Sequence, residues 1–376
     1  MTMRRPLFLA CGLVLVASPL SAQRSERIAS GVLFEHYGFE DGFIARETTQ
    51  WLVPIATTVR FGSRASLALA TGFTAVELAT ADSAGFGSRR ITGPIDTDAR
   101  LSVHLVPDRI IAIATAVLPT GQQTLLEDEL LLPALLANDA IGYSAVSLGS
   151  GGSLGVGLSA AIPVGRFALG VAASRNHSFA FTPVLGETET LTPGAETRFR
   201  AGVEGPIARR TYFRLAASLA HRGADAFGDS TGTSVGRRTV GYVMLDQGVG
   251  IVSMTLYAFD VFRDAPAIEN TSIGTGILPR SNLLGLGFQA AVLLSPAISI
   301  HARAEQRMVA SAATAENPHL ERRGSSVRAG ADVRFRFSEA VTASASFDHL
   351  TGEVVQSSKF FGVGGYRAGL VIEVFP

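Results

Sequence analysis

The chain has 376 residues, with 32 acidic and 32 basic side chains and a single cysteine, Cys11. A formal charge of zero offers no bulk attraction to nucleic acid. Hydrophobic residues make up 47% of the chain, yet beyond the first twenty or so positions no apolar run reaches the length of a spanning helix.

Residues 1–22 read as a cleavable leader. Arg4 and Arg5 open it, an apolar run from Leu7 to Val16 follows, and small residues from Ser18 to Ala22 end it. A lipoprotein site at Cys11 fits poorly, because the apolar run continues past it. With Cys11 in the leader, the exported chain has no disulfide, thiol nucleophile or cysteine metal site. Residues 23–47 read as a first strand or as a plug.

From Thr48 onward the chain repeats one unit: long strand, tight turn, long strand, longer polar loop. The pairs are 48–61 with 64–78, 94–105 with 109–119, 153–163 with 166–181, and 196–205 with 211–222. Then come 237–247 with 251–262, 280–293 with 297–309, and 326–337 with 341–348. The turns within pairs carry the Gly, Pro, Ser or Asp that turn geometry requires.

Within the strands one face is apolar and the other polar. Arg328, Asp332, Arg334 and Arg336 alternate with Val327, Ala331, Val333 and Phe335. Arg198, Arg200 and Glu204 alternate with Phe199, Ala201 and Val203, and Arg214 opposes Phe213 and Leu215. Arg303, Glu305 and Arg307 alternate with Ala302 and Ala304, and Arg367 takes the same place in the last strand. A soluble sandwich has strands of about 5 or 6 residues. Strands of about 10 or more, with short turns at one end and long loops at the other, predict an all-β, transmembrane, antiparallel up-and-down β-barrel. A first strand near 27–37 and a last at 366–375 bring the count to about 16; reading 23–47 as a plug lowers it to about 14. Trp51, Phe61, Tyr212, Phe337 and Tyr366 fall near strand ends, where an aromatic girdle would sit.

The last strand, YRAGLVIEVFP, resembles the carboxy-terminal strand of outer-membrane barrels, although Phe375 is out of phase with the apolar alternation and Pro376 follows it. Recognition by the barrel-assembly machinery is what that resemblance implies. The stretches WLVPIATTVRFGSRASLALATGF, IAIATAVLPTG and SLGSGGSLGVGLSAAIPVG are similar to the outer-membrane channels associated with phenol meta-cleavage pathways, relatives in type of the long-chain fatty-acid transporters. The LPTG at 118–121 and GSG at 149–151 carry most of the likeness. The resemblance implies passive passage of small, often hydrophobic or aromatic solutes across the outer membrane of a Gram-negative cell.

Two candidate sites follow. The loop 121–141, expected on the external side, is rich in leucine. Thr124 and Glu127 have capping-box spacing, and Asn138 ends a turn begun at Pro133. Leu130, Leu131, Leu135 and Leu136 form either a capture surface for hydrophobic solutes or a plug in the barrel mouth. The lumen arginines form either an anion-favouring screen or a network neutralised by Glu204, Glu305, Asp332, Asp348 and Glu373. Catalysis is not expected: His177–Ser178 and Asp348–His349 are adjacent on strands and point to opposite faces. No metal-ligand spacing or cofactor motif occurs.

Overall fold

A strand with one apolar and one polar face can cross a membrane only if its sheet closes, because an open edge would leave backbone groups unpaired in lipid. Here it closes. The computed structural model describes residues 23–81, 87–145, 147–228, 230–234, 236–264, 267–268, 280–312 and 319–375; the expected leader and Pro376 lie outside them. Its strands are β1 (Gln23–Phe39), β2 (Ala45–Phe61), β3 (Ala65–Thr80), β4 in two pieces (Arg89–Pro94 and Thr97–Val106) and β5 (Ile110–Leu118). After them come β6 (Ser153–Val164), β7 (Phe167–Ser178), β8 (Glu196–Ala208), β9 (Thr211–Arg222), β10 (Arg237–Val249) and β11 (Val252–Arg263). The chain ends with β12 (Ser281–Ser295), β13 (Ile298–Ala312), β14 (Leu320–Arg336), β15 (Val341–Gln356) and β16 (Lys359–Val374).

Each strand pairs antiparallel with its neighbours, and β16 returns to β1, from Ile28 opposite Val374 to Phe39 opposite Val363. The result is a closed barrel of 16 strands. Residues 23–39 are therefore the closing strand and not a plug. The break in β4 has a local cause. Pro94 brings no N–H to the ladder, and the strand resumes at Thr97 against the same neighbour, β3.

Short turns at 62–64, 107–109, 165–166, 209–210, 250–251, 296–297 and 337–340 mark one end. Most connections at the other end are long. Two are not: 40–44 joins β1 to β2, and Ser357 and Ser358, both at positive φ, join β15 to β16. At that end Leu191–Thr192, Ala224–Phe227, Ser230–Ser234 and Ala267–Ile268 pair into a small sheet that ties three loops together.

The outer face is what lipid requires. Leu154, Val156, Leu158, Ile162 and Val164 follow one another along β6, all exposed. A patch of that kind would be a liability in water. Phe34 packs on Trp51 and Tyr366 with ring centroids 4.5 and 5.7 Å apart, and Phe347 stacks on Tyr366 at 6.0 Å, an aromatic belt across the β1–β16 seam. Tyr212 does not join such a girdle. Its register beside Arg214, opposite Pro206, puts it on the inner face. Among the described residues no helix is long and apolar enough to cross a membrane, which says nothing of a barrel.

Candidate functional site

The lumen is filled unevenly. The loop 121–141, for which a capture surface and a plug in the barrel mouth were the two readings, lies in the connection from β5 to β6 and packs against the inner faces of the barrel strands. Its neck is drawn together at the two glycine-bearing stretches. Gln122 N donates to Leu148 O (3.1 Å). Asp96, at the break in β4, accepts from Gly121 N (2.9 Å) and from Ser150 Oγ (2.6 Å). A Cβ on Gly121 or Gly149 would strike the opposing backbone, so the approach needs glycine at both.

Beyond the neck, a 3-10 turn (Glu127–Glu129) leads into a short helix, α1 (Leu131–Leu136). Glu129 caps the 3-10 turn by accepting from Leu126 N (2.8 Å), and α1 has no side-chain cap of its own. Thr124, expected as the cap, donates instead to Thr182 O (2.7 Å), which ties this loop to its neighbour. The helix ends at Leu136 with Ala137 as its C-cap, one residue before Asn138, whose Oδ1 accepts from Ala140 N (3.0 Å) in the turn that follows.

The leucines divide by face. Leu132, Leu135 and Leu136 are buried in one cluster with Tyr37 of β1, Leu78 of β3 and Leu350 of β15, and Leu131 packs at its edge. Leu136 keeps 1% of its surface and Leu130 keeps 38%. Two of the four residues considered for solute capture, Leu135 and Leu136, thus have their apolar surface already occupied by the barrel wall.

The tip of the loop, 138–145, is held by polar groups of the inner faces. Glu35, fully buried, accepts from Ser144 N (3.0 Å) and Ser144 Oγ (2.9 Å) and pairs with Arg367. Arg367 also donates to Gly142 O (3.0 Å). Arg328 has no carboxylate partner among the described residues; it donates to Ile141 O (2.6 Å) and Gly142 O (3.2 Å). Arg307 pairs with Glu305 (2.7 Å) and reaches Asp139 O (3.2 Å), while Arg263 pairs with the Asp139 carboxylate (2.6 Å). Gln50 exchanges two hydrogen bonds with the Ala145 backbone, each 3.1 Å. Gly142, at φ 63°, supplies the bend that aims these carbonyls at the arginines. Thr48 Oγ1 and the Tyr143 hydroxyl lie 2.7 Å apart. Burial pushes the Tyr143 phenol well above its usual range, so it stays protonated.

The lumen charges singled out above fall into three groups. Arg307, Arg328 and Arg367 hold the loop tip, with Glu305 paired to Arg307 and with Arg303 and Asp332 in the wall beside them. Arg303 forks onto Asp348 (2.7 and 2.8 Å) and reaches Asp332 (2.8 Å), so it braces the wall below that tip. Arg334 and Arg336 line a vestibule of about 830 Å³ at the turn end, with His301, Glu339 and Glu373. Arg198, Arg200, Glu204 and Arg214 lie across the lumen, on strands the loop does not cover. Arg214 pairs with Glu204 (2.6 Å) and Arg198 with Glu196. Arg200 has no such partner among the described residues, and neither has Arg100 of β4.

Arg100, Arg198 and Arg200 share a cavity of about 280 Å³ with Ile113, Thr115 and Val117 of β5. Arg100 was not among the site residues singled out from the sequence. The signal available was its alternation with Ala99, Leu101 and Val103, which puts it on the polar face of its strand. Glu35, Asp139, Tyr143 and Arg263 also went unmarked, because their roles depend on where the loop lies.

No family model matches the chain, and no curated protein matches it. Among solved structures it is similar to OpdQ of Pseudomonas aeruginosa, at 9% identity and TM-score 0.47 over 94% of this chain and 98% of that one. It is similar also to a bacterial polysaccharide outer membrane secretin (10%, TM-score 0.47, 93% and 98%). The outer membrane channel DcaP of Acinetobacter baumannii is a third (12%, TM-score 0.45, 94% and 98%). At these identities, what passes the lumen has to be argued from this chain's own residues.

Proposed function

We propose that the protein is a passive outer-membrane channel for small amphipathic anions, with an apolar or aromatic body and one carboxylate-like charge. The observation that carries this reading is the cavity opposite the loop. Arg100 and Arg200, neither of them in an ion pair among the described residues, face it together with Ile113, Val117 and the Arg198–Glu196 pair, so that the cavity carries a net positive charge. Fixed cations at a constriction favour anions, and an apolar wall beside them favours solutes with an apolar body. The likeness to the meta-cleavage channels agrees with an aromatic body, and the charge is argued from the arginines alone. Export by the leader at 1–22 and recognition of β16 by the assembly machinery belong to the same reading. The protein acts as a conduit and not as an enzyme.

Planar bilayers test it. The wild-type channel should prefer anions in a salt gradient, and benzoate should permeate or block more strongly than benzyl alcohol. Exchanging Arg100 and Arg200 for glutamine should bring the permeability ratio close to unity and remove the benzoate effect. Cation preference in the wild type, or an unaltered ratio in the variant, would refute the reading.

A further inference from the structure

Lipid-facing charge near the membrane midplane costs roughly 2–4 kcal/mol, falling to about 0–1 near the interfaces, so a cation on the outer face needs a reason. β7 carries two basic side chains there. Ser174 and Asn176 face the lumen, since a Cβ on Gly157 or Gly155 would meet them. Arg175 and His177 therefore face outward with Leu169 and Val171, and both are exposed. Arg175 stands eight residues above the turn-end start of β7, ~20 Å up a strand tilted by about 45°. That is just inside the loop-end edge of the apolar band. The cross-strand row continues the polarity: Thr197 lies opposite Arg175 and His221 opposite Thr197. Arg175 has no ion-pair partner among the described residues.

Below this basic rim the outer face is hollow. Arg175 and His177 close one end of a trough of about 490 Å³ floored by Ala99, Ala114 and Ala116 and walled by Leu154 and Val156. The registers Arg175–Val156, Val156–Ala114, Ala114–Leu101 and Leu101–Leu67 make one row across five strands. Four inter-strand steps span ~19 Å, a length suited to an extended acyl chain. Because the strands tilt, the row descends from the loop-end rim toward the turn end at Leu67. We infer that this trough and rim form a binding site for a phosphate-bearing lipid of the outer leaflet, its phosphate on Arg175 and His177 and an acyl chain over the alanines. Charge complementarity selects a headgroup with a net-anionic phosphate monoester: guanidinium and imidazole N–H groups donate to its oxygens, whereas the zwitterionic phosphocholine group carries its own cation beside its phosphate and has no net charge to offer.

The test uses the whole barrel in phosphatidylcholine nanodiscs, with bisphosphorylated lipid A, with its dephosphorylated form, or with inorganic phosphate alone. Native mass spectrometry should find lipid A retained, the dephosphorylated form retained at least about tenfold less, and inorganic phosphate without effect. Arg175→Leu with His177→Leu should lose retention by a similar factor. It should melt no lower than wild type in phosphatidylcholine alone, because a lipid-facing charge has been removed. Ala114→Phe, which fills the trough and leaves the rim intact, should also lose the lipid. Equal retention of the two lipid A forms, or retention unchanged in both variants, would overturn the site. So would dimers or trimers of the chain that Ala114→Phe abolishes without any lipid dependence, since the trough would then be an interface between copies.

Discussion

Replacing Glu35 with leucine should free the loop tip and widen the passage. Glu35 is the one group that both neutralises Arg367 and holds Ser144 by two hydrogen bonds, and it retains 1% of its surface. Removing one partner of a buried ion pair costs about 3–5 kcal/mol, because the other charge is left uncompensated. The urea midpoint of Glu35→Leu in micelles should therefore fall, and its single-channel conductance should rise. Pairing it with Arg367→Leu separates the two effects. An apolar pair on the wall is often as stable as a buried ion pair, so most of the lost stability should return. The loop should stay loose, since Ser144 has lost its partner and Gly142 O keeps only its longer bond from Arg328. Wild-type conductance in the single variant would mean that Arg328, Arg307 and Gln50 hold the tip without Glu35, and the latch would be misplaced.

The barrel and the loop differ in how far the sequence reveals them, and the reason is physical. Val327–Phe337 declares its two faces residue by residue, because strand periodicity is local and the cost of charge in lipid applies at every position. The same rule located the lumen side of Arg303, Arg328 and Arg367 without any tertiary information. It failed at Tyr212, where an aromatic near a strand end was read by position instead of by parity. The direction of the loop has no local signal. It is decided by Asp139 meeting Arg263, 124 residues away, and by Ser144 meeting Glu35, 109 residues away. Leucine content told that the segment must cover something apolar. Only the packing of Leu132, Leu135 and Leu136 on β1, β3 and β15 tells that the cover is the barrel's own wall. The helix start shows the same limit. Thr124 and Glu127 had the right spacing, but Thr124 found a carbonyl in the neighbouring loop, and Glu129 took over the cap, at the 3-10 turn ahead of α1.

Serine at Leu132, Leu135 and Leu136 together should convert a narrowed channel into a leaky one. All three side chains are buried against inner-face residues of the barrel. Truncating a buried leucine costs about 2–5 kcal/mol, and a buried hydroxyl without a partner adds to that. The loss is more than the polar latch can offset at the tip, so α1 should detach while the hydrogen-bonded barrel persists. Two assays follow from this. Liposome swelling should become faster for sugars too large or too polar for the wild-type lumen, and the circular dichroism of the strands should change little. Leu130→Ser alone, at the exposed position, should alter neither measurement. Uptake of alkylphenols provides the opposing outcome. If the leucines capture hydrophobic solutes, the triple variant should take up alkylphenols more slowly while sugar permeability stays as in wild type. That pair of results would restore a hydrophobic-solute transporter and remove the plug. A rise in sugar flux with alkylphenol flux maintained or raised leaves the leucines as packing, and leaves selectivity to the arginines across the lumen.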